Sequence, residues 1–525
     1  MKPEFAFGFG LLVLMPAGAF AHGFAQRFDL PVPLGLYIGA AAATVAFSFL
    51  VIAYFLRGER VIDRYPRLNL LGNPLGRFIA GSFGVLLLRL FSVACLTLVI
   101  VAGYIGHENP FKNIAPTAIW VIWWVGFAYI SGLVGDLWAV VNPWSAVYVW
   151  AEKFWAIMFP SKRFGLALRW PAWLGCWPAV VLFTCFIWLE LLWPESDTPA
   201  SLAKAVLSYS IITWSGMFLF GRYIWLRNGE AFSVVFGYLA RFGISEIRVT
   251  ESALCAACGS SNCHDHIFGC VNCIECFNTA TAEQRQWNLR PWAVGLLTSK
   301  PIPASSMVFV LIMLSSVTFD GLLATPIWAE LANWMIYSET VRPLILALQD
   351  LTGNAVAAVG TIALVVFLVL FQLLYLLFST LMYFSVPAGN RADISIPQIA
   401  GSFVLSLVPI ALAYHLAHYV SYLALVGQYI IPLASDPFGR GWDLFGTSLY
   451  VVDISIINAR FVWYTSVIAI VTGHIIAVWL AHSVALRTFR SNRAALRSQI
   501  PMLVLMVSYT MLSLWILAQP VVETG

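Results

Sequence analysis

The chain has 525 residues, of which 60% are apolar and only 10% are charged, and its mean hydropathy is +0.83. Soluble domains usually carry about 25% charged residues, so this composition excludes an ordinary soluble globular protein. The formal net charge of +4 is too small to indicate a nucleic-acid partner. The composition therefore predicts an all-α, polytopic transmembrane helical bundle whose first partner is the lipid bilayer.

Residues 1–21 form the first predicted element, an apolar run that begins with Lys2 and ends in a small-x-small tripeptide. Such a segment is typical of a signal peptide, and an uncleaved signal anchor is the alternative. Either form delivers His22 to the outer side of the membrane. Cleavage before His22 gives an N-terminal histidine with two nitrogen ligands, which resembles the copper-binding start of copper chaperones and polysaccharide monooxygenases.

Ten further segments are apolar over about the 20 residues that cross roughly 30 Å of hydrocarbon. They lie at 34–56, 78–105, 116–134, 171–193, 203–220, 303–323, 355–384, 399–425, 461–485 and 500–519. We therefore predict a first membrane helical region at 22–220, a cytoplasmic loop at 221–301 with a cysteine-rich module, and a second membrane helical region at 302–525. A polar, Gly-rich connection at 428–460 predicts an ordered cap or lid.

The distribution of basic residues predicts the orientation of these spans. Successive loops lie on alternate sides of the membrane. Of the 29 Lys and Arg residues, Lys2 lies in the first segment and Arg89 lies within a span. Six of the others lie in the loops on one side, and the remaining 21 lie in the loops on the other side. Because basic loops stay inside, we predict a bacterial cytoplasmic (inner) membrane protein with its mature N-terminus outside. Arg89 should have a carboxylate or carbonyl partner, since an unpaired cation within a span is costly.

Four histidines lie within the last predicted spans. His415 and His418 fall in the eighth span, and His474 and His482 fall in the ninth. Ionisable residues within spans are costly and are functional candidates by default. Each pair shares a helix face at about 100° per residue, but about 12 Å of rise separates His474 from His482.

We predict that His415, His418 and His474 bind a transition metal (zinc, copper or iron), with His482 as a further candidate ligand. The two helices that carry them are adjacent and antiparallel in the predicted topology. Haem ligation by one histidine from each helix is one alternative. A structural role through hydrogen bonds between helices is the other.

Two further polar groups lie at the predicted outer ends of spans and are candidate catalytic residues. His107 follows the second span, and Asp320 lies near the end of the sixth span. A carboxylate at Asp320 is suited to bind a metal, to act as a general base or to orient a ligating histidine. A solvated helix end is the alternative interpretation of Asp320.

The 221–301 loop carries six of the nine cysteines within 22 residues, with two histidines between them. The candidate ligands are Cys255, Cys258, Cys263, His264, His266, Cys270, Cys273 and Cys276. In a reducing compartment this density predicts a metal rather than disulfides. The first and last cysteine pairs have the spacing of a tetrahedral zinc site, and the four ligands between them predict a second site. The last three cysteines also resemble the start of a ferredoxin motif, so an iron–sulfur cluster is the alternative.

Short stretches spread along most of the chain carry a family resemblance. They are HGFAQRFDLPVPL at 22–34, Gly135 to Trp138, Asn142 to Trp144, Thr318 to Gly321, Tyr414 to Tyr419, Asp436 to Asp443, Gly473-His474 and Ala481-His482. In these stretches the chain resembles the bacterial multi-span membrane proteins named as fenitrothion hydrolases. The resemblance implies an enzyme that hydrolyses an organophosphorus triester and releases a nitrophenol. The cysteine-rich loop is a departure from that family.

Three functions follow as hypotheses. The first is a metal-dependent hydrolase, in which a metal at His415, His418 and His474 activates water and Asp320 acts as base on a lipophilic small molecule. The second is a membrane redox protein or oxygenase with copper or iron and a cytoplasmic iron–sulfur cluster. The third is a copper or metal transport protein with His22 as its outer receptor. The sequence favours the enzyme and leaves open a second subunit as a partner.

Overall fold

A computed structural model describes residues 28–56, 65–255, 258, 270–298, 300–390, 394–489 and 491–522, apart from the side chains of Ser252, Cys255 and Asn390. Ten of the helices in this part of the chain are long and apolar enough to cross a membrane, and they coincide with the ten predicted spans. The chain is therefore a multi-pass membrane protein. The predicted signal segment lies outside the described residues.

The helices and strands are numbered here in chain order. The helices are α1 (Leu34–Phe55), α2 (Pro74–Ala80), α3 (Ser82–Ile105), α4 (Ile114–Leu133), α5 (Trp138–Val141), α6 (Pro143–Met158), α7 (Ala172–Leu191), α8 (Pro199–Phe220), α9 (Arg222–Asn228), α10 (Ala231–Ala240), α11 (Ile274–Thr279), α12 (Ala304–Leu323), α13 (Pro326–Tyr337), α14 (Arg342–Thr352), α15 (Ala355–Ser385), α16 (Ile396–Ser435), α17 (Ala459–Thr488) and α18 (Asn492–Ala518). The strands are β1 (Leu68–Asn69), β2 (Ser245–Val249), β3 (Cys270–Val271) and β4 (Arg285–Leu289).

Two of the spans depart from a regular α-helix. The middle of α4 is a π-helix over Thr117–Gly126, a conformation that is rare and is frequent at functional sites. Helix α16 is interrupted by 3-10 turns at Val404–Leu407 and Val426–Tyr429. Pro409 follows the first of these turns, and its missing N–H favours a break in the helix there. Both irregular helices carry side chains of the candidate site.

Two charged side chains of the helical bundle are paired, as the cost of desolvation requires. Arg89 Nε donates to the carbonyl oxygen of Val140 at 3.2 Å, which confirms the predicted carbonyl partner. Glu230, directly before α10, accepts from Tyr209 Oη at 2.5 Å and from Ser233 N at 2.7 Å. This carboxylate therefore caps α10 and ties it to α8.

The predicted 221–301 loop begins with two helices that belong to the bundle. Phe232 and Phe236 of α10 are buried, and the Phe232 ring lies 4.4 Å from the ring of Trp123 on α4. Helix α10 is almost wholly apolar but has only 10 residues, about 15 Å of helix, so it is too short to span a membrane. The segment outside the bundle is consequently shorter than the sequence predicts.

The cysteine-rich segment forms a small four-stranded antiparallel sheet in the order β1-β4-β2-β3. The prediction of an all-α fold is therefore correct for the membrane region and wrong for this module, which makes the chain nearly all-α. Strand β1 comes from the connection between α1 and α2. It has only two residues, so it shows no strand periodicity from which to predict it.

Glu246 on β2 forms a buried ionic network that fastens this sheet to the first connection. It accepts from Arg67 Nε at 2.5 Å, from Tyr65 Oη at 2.8 Å and from Arg290 Nη1 at 3.1 Å. Burial by itself raises the pKa of Glu246, but Arg290, Arg67 and Tyr65 together bring that pKa below its usual value. The carboxylate is thus held in its charged form by two cations.

Helix α12 connects the two ends of the molecule. It begins at Ala304, after the module, and Asp320 lies 16 residues further along, about 24 Å away. We call these the module end and the Asp320 end. The 436–458 connection at the Asp320 end is ordered by its own carboxylates, since Asp436 accepts from Gly441 N at 2.6 Å and Asp453 accepts from Ser455 N at 2.8 Å. These hydrogen bonds agree with the predicted order of this connection, and its role as a cap or lid stays a prediction.

Candidate functional site

Asp320 lies in the last turn of α12, and the neighbouring residues fix that turn against two other helices. Thr318 Oγ1 hydrogen-bonds to Tyr509 Oη of α18. Gly321 allows Tyr414 of α16 to approach closely, because a Cβ at this position would lie 2.6 Å from Tyr414 Oη. Thr318 and Gly321, on either side of Asp320 in the sequence, therefore pack closely against α18 and α16.

Two donors from α16 bind the carboxylate of Asp320. His418 Nε2 lies 2.8 Å from Asp320 Oδ2, and Tyr419 Oη donates to the same oxygen at 2.6 Å. Since a carboxylate oxygen accepts, Nε2 carries the imidazole proton in this pair. A second carboxylate is adjacent, because Glu190 Oε1 of α7 lies 3.4 Å from Tyr419 Oη. The side chain of Asp320 is 17% exposed and that of His418 is 5% exposed, so the carboxylate is the more accessible of the two groups.

His415 forms an aromatic wall beside this cluster. Its ring centroid lies 4.7 Å from Tyr419, 5.7 Å from Tyr129 and 5.8 Å from Trp124. Trp124 comes from the π-helical part of α4. Nε2 of His415 is buried and has no hydrogen-bond partner among the described residues. This unpartnered nitrogen makes His415 a candidate for binding a polar atom of a ligand.

The predicted three-histidine metal site does not form. His474 Nδ1 donates to the carbonyl oxygen of Ile470 in its own helix at 2.8 Å, while His418 is bound to Asp320. Gly473 packs against Ala413, five residues or about 7.5 Å along α16 from His418. His415 lies against Trp124 and Tyr129 of α4, and His474 lies against Tyr509 of α18, so the histidines face different helices. In the described part of the chain, the group of three ligand atoms within 4.8 Å of one another is made of cysteines.

The remaining predicted histidines have other positions. His482 Nε2 donates to the carbonyl oxygen of Leu56 at 2.9 Å, and Nδ1 lies 3.1 Å from Gln499 Oε1, so its described contacts hold three helices together. His107 is exposed, and its Nδ1 accepts from Asn109 N at 2.9 Å within a turn. His22 lies outside the described residues.

The cysteine module brings together three of its predicted ligands. The Sγ atoms of Cys258, Cys273 and Cys276 lie within 4.8 Å of one another, and all three residues are buried. Cys270 is also buried, in the same small hydrophobic cluster. The side chain of Cys255 lies outside the described part of the chain. The same is true of Cys263, His264 and His266, with which Cys270 was predicted to form a second site.

Two residues of the Asp320 cluster are absent from the sequence-based site, and the sequence carried a signal for one of them. Glu190 is an acid within the apolar run of α7, which by the default rule for charges in spans marks a functional candidate. Tyr419 is an ordinary interfacial aromatic by its sequence. Its role depends on the contact of α16 with both α12 and α7, which no local pattern predicts.

Comparison with protein-family models, with curated proteins and with solved structures finds no match for this chain. The functional assignment therefore depends on its own residues. At the Asp320 end these are two carboxylates, a histidine and a tyrosine in contact with one another. At the module end they are three clustered thiols. The first arrangement is suited to proton transfer and the second to metal binding.

Proposed function

We propose that the chain is a membrane-embedded hydrolase of lipophilic esters whose acid–base site is the Asp320 cluster. The observation that carries this proposal is the carboxylate of Asp320 held by His418 at 2.8 Å and by Tyr419 at 2.6 Å. Asp320 is the general base in this scheme, and its hydrogen-bonded neighbours orient it. General bases of this kind contribute about 10²–10⁴-fold to a rate.

The proton donors and acceptors around Asp320 support this role. In this scheme the carboxylate of Asp320 accepts a proton from the attacking water and afterwards releases it to solvent. The activated water attacks the ester centre, the bond to the leaving group breaks, and the leaving oxygen departs as an alkoxide or phenolate that takes a proton from solvent. Nε2–H of His418 and Oη–H of Tyr419 stabilise Asp320 in its ionised form before the step.

The surroundings of the cluster favour an apolar substrate. His415, Trp124 and Tyr129 form an aromatic wall on one side of Tyr419. A lipophilic ester dissolved in the bilayer can reach such a site laterally, whereas a highly charged phosphate monoester cannot. The resemblance to the fenitrothion hydrolases agrees with this class, so an activated phosphotriester is the first substrate to test. In the proposed orientation the Asp320 end faces the outer side of a bacterial inner membrane.

The test is hydrolysis by the purified full-length chain in detergent, followed by release of nitrophenolate. A nitrophenyl phosphotriester, a nitrophenyl carboxylic ester and a nitrophenyl phosphate monoester are compared at equal concentration. We expect turnover of one of the two neutral esters and none of the monoester. The variant Asp320→Asn should lose about 10²–10⁴-fold in kcat, with an unchanged elution profile.

The matched control is Asp350→Asn, which removes an exposed carboxylate from α14 at the same end of the molecule. It should keep the rate of the unsubstituted chain. The proposal fails if neither neutral ester is hydrolysed, or if Asp320→Asn and Asp350→Asn turn over the ester equally fast.

A further inference from the structure

The module end contains a second chemical site that is independent of the proposed hydrolase. Cys258, Cys273 and Cys276 place three sulfur atoms within 4.8 Å of one another, and the Sγ atoms of Cys258 and Cys273 are 3.7 Å apart. Their exposed fractions are only 7%, 6% and 2%. Three buried thiols in one place, in a module with a small core, point to a bound ion that organises it.

The local backbone explains how two of these thiols converge. Asn272 has a positive φ of 52°, in the left-handed region, and its N–H donates to the carbonyl oxygen of Ile247 on β2 at 2.8 Å. This tight turn ends β3 and begins α11, so Cys273 lies just before the helix and Cys276 lies in its first turn. A tight turn followed by a short helix is an arrangement by which a C-x2-C pair chelates one metal ion.

The sulfur–sulfur distance distinguishes one metal ion from a cluster. A tetrahedral site with Zn–S bonds of about 2.3 Å has sulfur atoms about 3.8 Å apart along each edge, and the measured separation of Cys258 and Cys273 is 3.7 Å. In a [4Fe–4S] cluster each thiolate binds a different iron atom, and in a [2Fe–2S] cluster each iron carries two thiolates, so no iron carries three of them. Three mutually close thiols do not fit that arrangement.

We propose that Cys258, Cys273 and Cys276 bind a single zinc ion, which folds the module. A fourth ligand completes the tetrahedron. This inference extends the zinc expectation from the sequence by choosing a mononuclear site over the iron–sulfur alternative. It does not rest on the proposed hydrolase, and its tests measure metal rather than turnover.

A cation from the membrane region lies beside this site. Arg227, at the end of α9, pairs with Glu275 Oε2 at 2.7 Å, and its Nη2 lies 4.0 Å from Cys258 Sγ. Thiolates around a divalent ion leave net negative charge, which a guanidinium in this position offsets. Asn278 Nδ2 adds a second contact, to Tyr223 Oη of α9 at 3.3 Å. The zinc site is thereby connected to the helix that continues from α8.

The first experiment measures metal in the full-length chain, purified in detergent without added metal. We expect zinc, and we expect each of Cys273→Ser and Cys276→Ser to lose one equivalent per chain. Cys276→His keeps a zinc ligand in place and should retain that equivalent, which separates ligation from misfolding. The matched controls are Cys95→Ser and Cys185→Ser, exposed cysteines in α3 and α7, which should keep all of it.

The second experiment replaces zinc by cobalt(II) in the same protein. Intense visible bands of tetrahedral thiolate-bound cobalt are expected, and Cys276→Ser should abolish them. Iron with acid-labile sulfide, no metal in the unsubstituted chain, or an unchanged zinc content in both serine variants would each overturn the proposal.

The third experiment tests the contact with the membrane region. Arg227→Gln should keep the zinc but release it to a chelator roughly 10-fold faster, because outer-shell partners of metal ligands typically contribute at least that factor. Arg285→Gln is the control, since Arg285 lies over the ring of Phe277 in the same module and donates to the carbonyl oxygen of Ala280. Equal rates of zinc release from the two variants would show that Arg227 does not stabilise the zinc site.

Discussion

The two ends of this molecule each contain a hydrogen-bonded carboxylate, and the neighbours of the two carboxylates differ. Glu246 at the module end is fully buried and is bound by two arginines and a tyrosine. Asp320 at the other end is partly accessible and is bound by a histidine and a tyrosine, with a second carboxylate nearby. The first is compensated by fixed positive charge, and the second is held mainly by groups that exchange protons.

This difference explains why one carboxylate is structural and the other is a candidate catalyst. A buried carboxylate between two guanidinium groups stays ionised and is difficult to protonate, so it holds segments together. A carboxylate beside an imidazole and a phenol has partners with which it can exchange a proton. Substitutions at the two ends of the molecule test this contrast between Glu246 and Asp320.

The largest structural effect is expected for Glu246→Gln. Removing the charge leaves Arg67 and Arg290 without their shared partner, and breaking a buried ion pair typically costs about 3–5 kcal/mol. We expect faster amide hydrogen exchange in β2 and β4 and a lower melting temperature. Glu251→Gln, which alters an exposed carboxylate just beyond β2, should leave both unchanged. A Glu246→Gln variant as stable as the parent chain would show that the network contributes little.

Gly321→Ala tests the packing beside Asp320. The added Cβ would meet Tyr414 Oη at 2.6 Å and Ile516 Cγ2 at 2.7 Å. Overpacking of this kind costs about 1–3 kcal/mol, and the displaced helix end should reduce ester turnover as well. Gly39→Ala on α1, where no heavy atom lies within 4 Å, is the control. Identical melting temperatures for the two variants would contradict the close approach.

Tyr419→Phe removes one donor from Asp320 and keeps the ring. A hydrogen bond to a charged group contributes about 1.5–3 kcal/mol, so we expect kcat to fall by about 10- to 100-fold with little change in stability. Tyr422→Phe, on the same helix, is the matched control and should stay near the parent rate. A large loss of stability without a loss of rate would assign Tyr419 a structural role.

The pH dependence of the module follows from the lowered pKa of Glu246. A carboxyl group whose folded-state pKa is depressed contributes stability above its unfolded pKa of about 4.3 and loses it as the pH falls through the folded value. Hydrogen exchange in β2 should therefore remain slow at pH 5 and accelerate only in more acidic solution. In Glu246→Gln this acid-dependent change should shrink. If the hydrogen exchange of β2 changes equally with pH in both proteins, groups other than Glu246 cause the change.

The spans could be predicted from the sequence because each is specified locally, by about 20 apolar residues and the cost of unpaired backbone in lipid. The expectation that Arg89 has a carboxylate or carbonyl partner followed from the cost of an unpaired cation in lipid. Trp138 and Asn142, from two of the stretches expected to carry a family resemblance, have a packing role in the structure, since both lie within hydrogen-bonding distance of Glu230. Local patterns therefore identified important residues more readily than their roles.

The Asp320 site depends on contacts that the sequence does not encode locally. Helical periodicity predicted His415 and His418 on one face of α16, but His415 packs against α4 whereas His418 binds Asp320 of α12. The pairing of β1 with β4 joins residues more than 200 positions apart. The proximity of Cys273 and Cys276 was easier to predict, because their spacing is itself the local geometry of a chelating turn, and their role as metal ligands stays a prediction.

The most direct test of this account measures turnover and melting temperature for Asp320→Asn and Glu246→Gln side by side. The account predicts that Asp320→Asn loses about 10²–10⁴-fold in ester hydrolysis and keeps its melting temperature. Glu246→Gln should show the reverse, with a lowered melting temperature and a nearly unchanged rate per folded molecule. If both variants lose stability and neither loses rate per folded molecule, Asp320 is a structural carboxylate and the proposed function is contradicted.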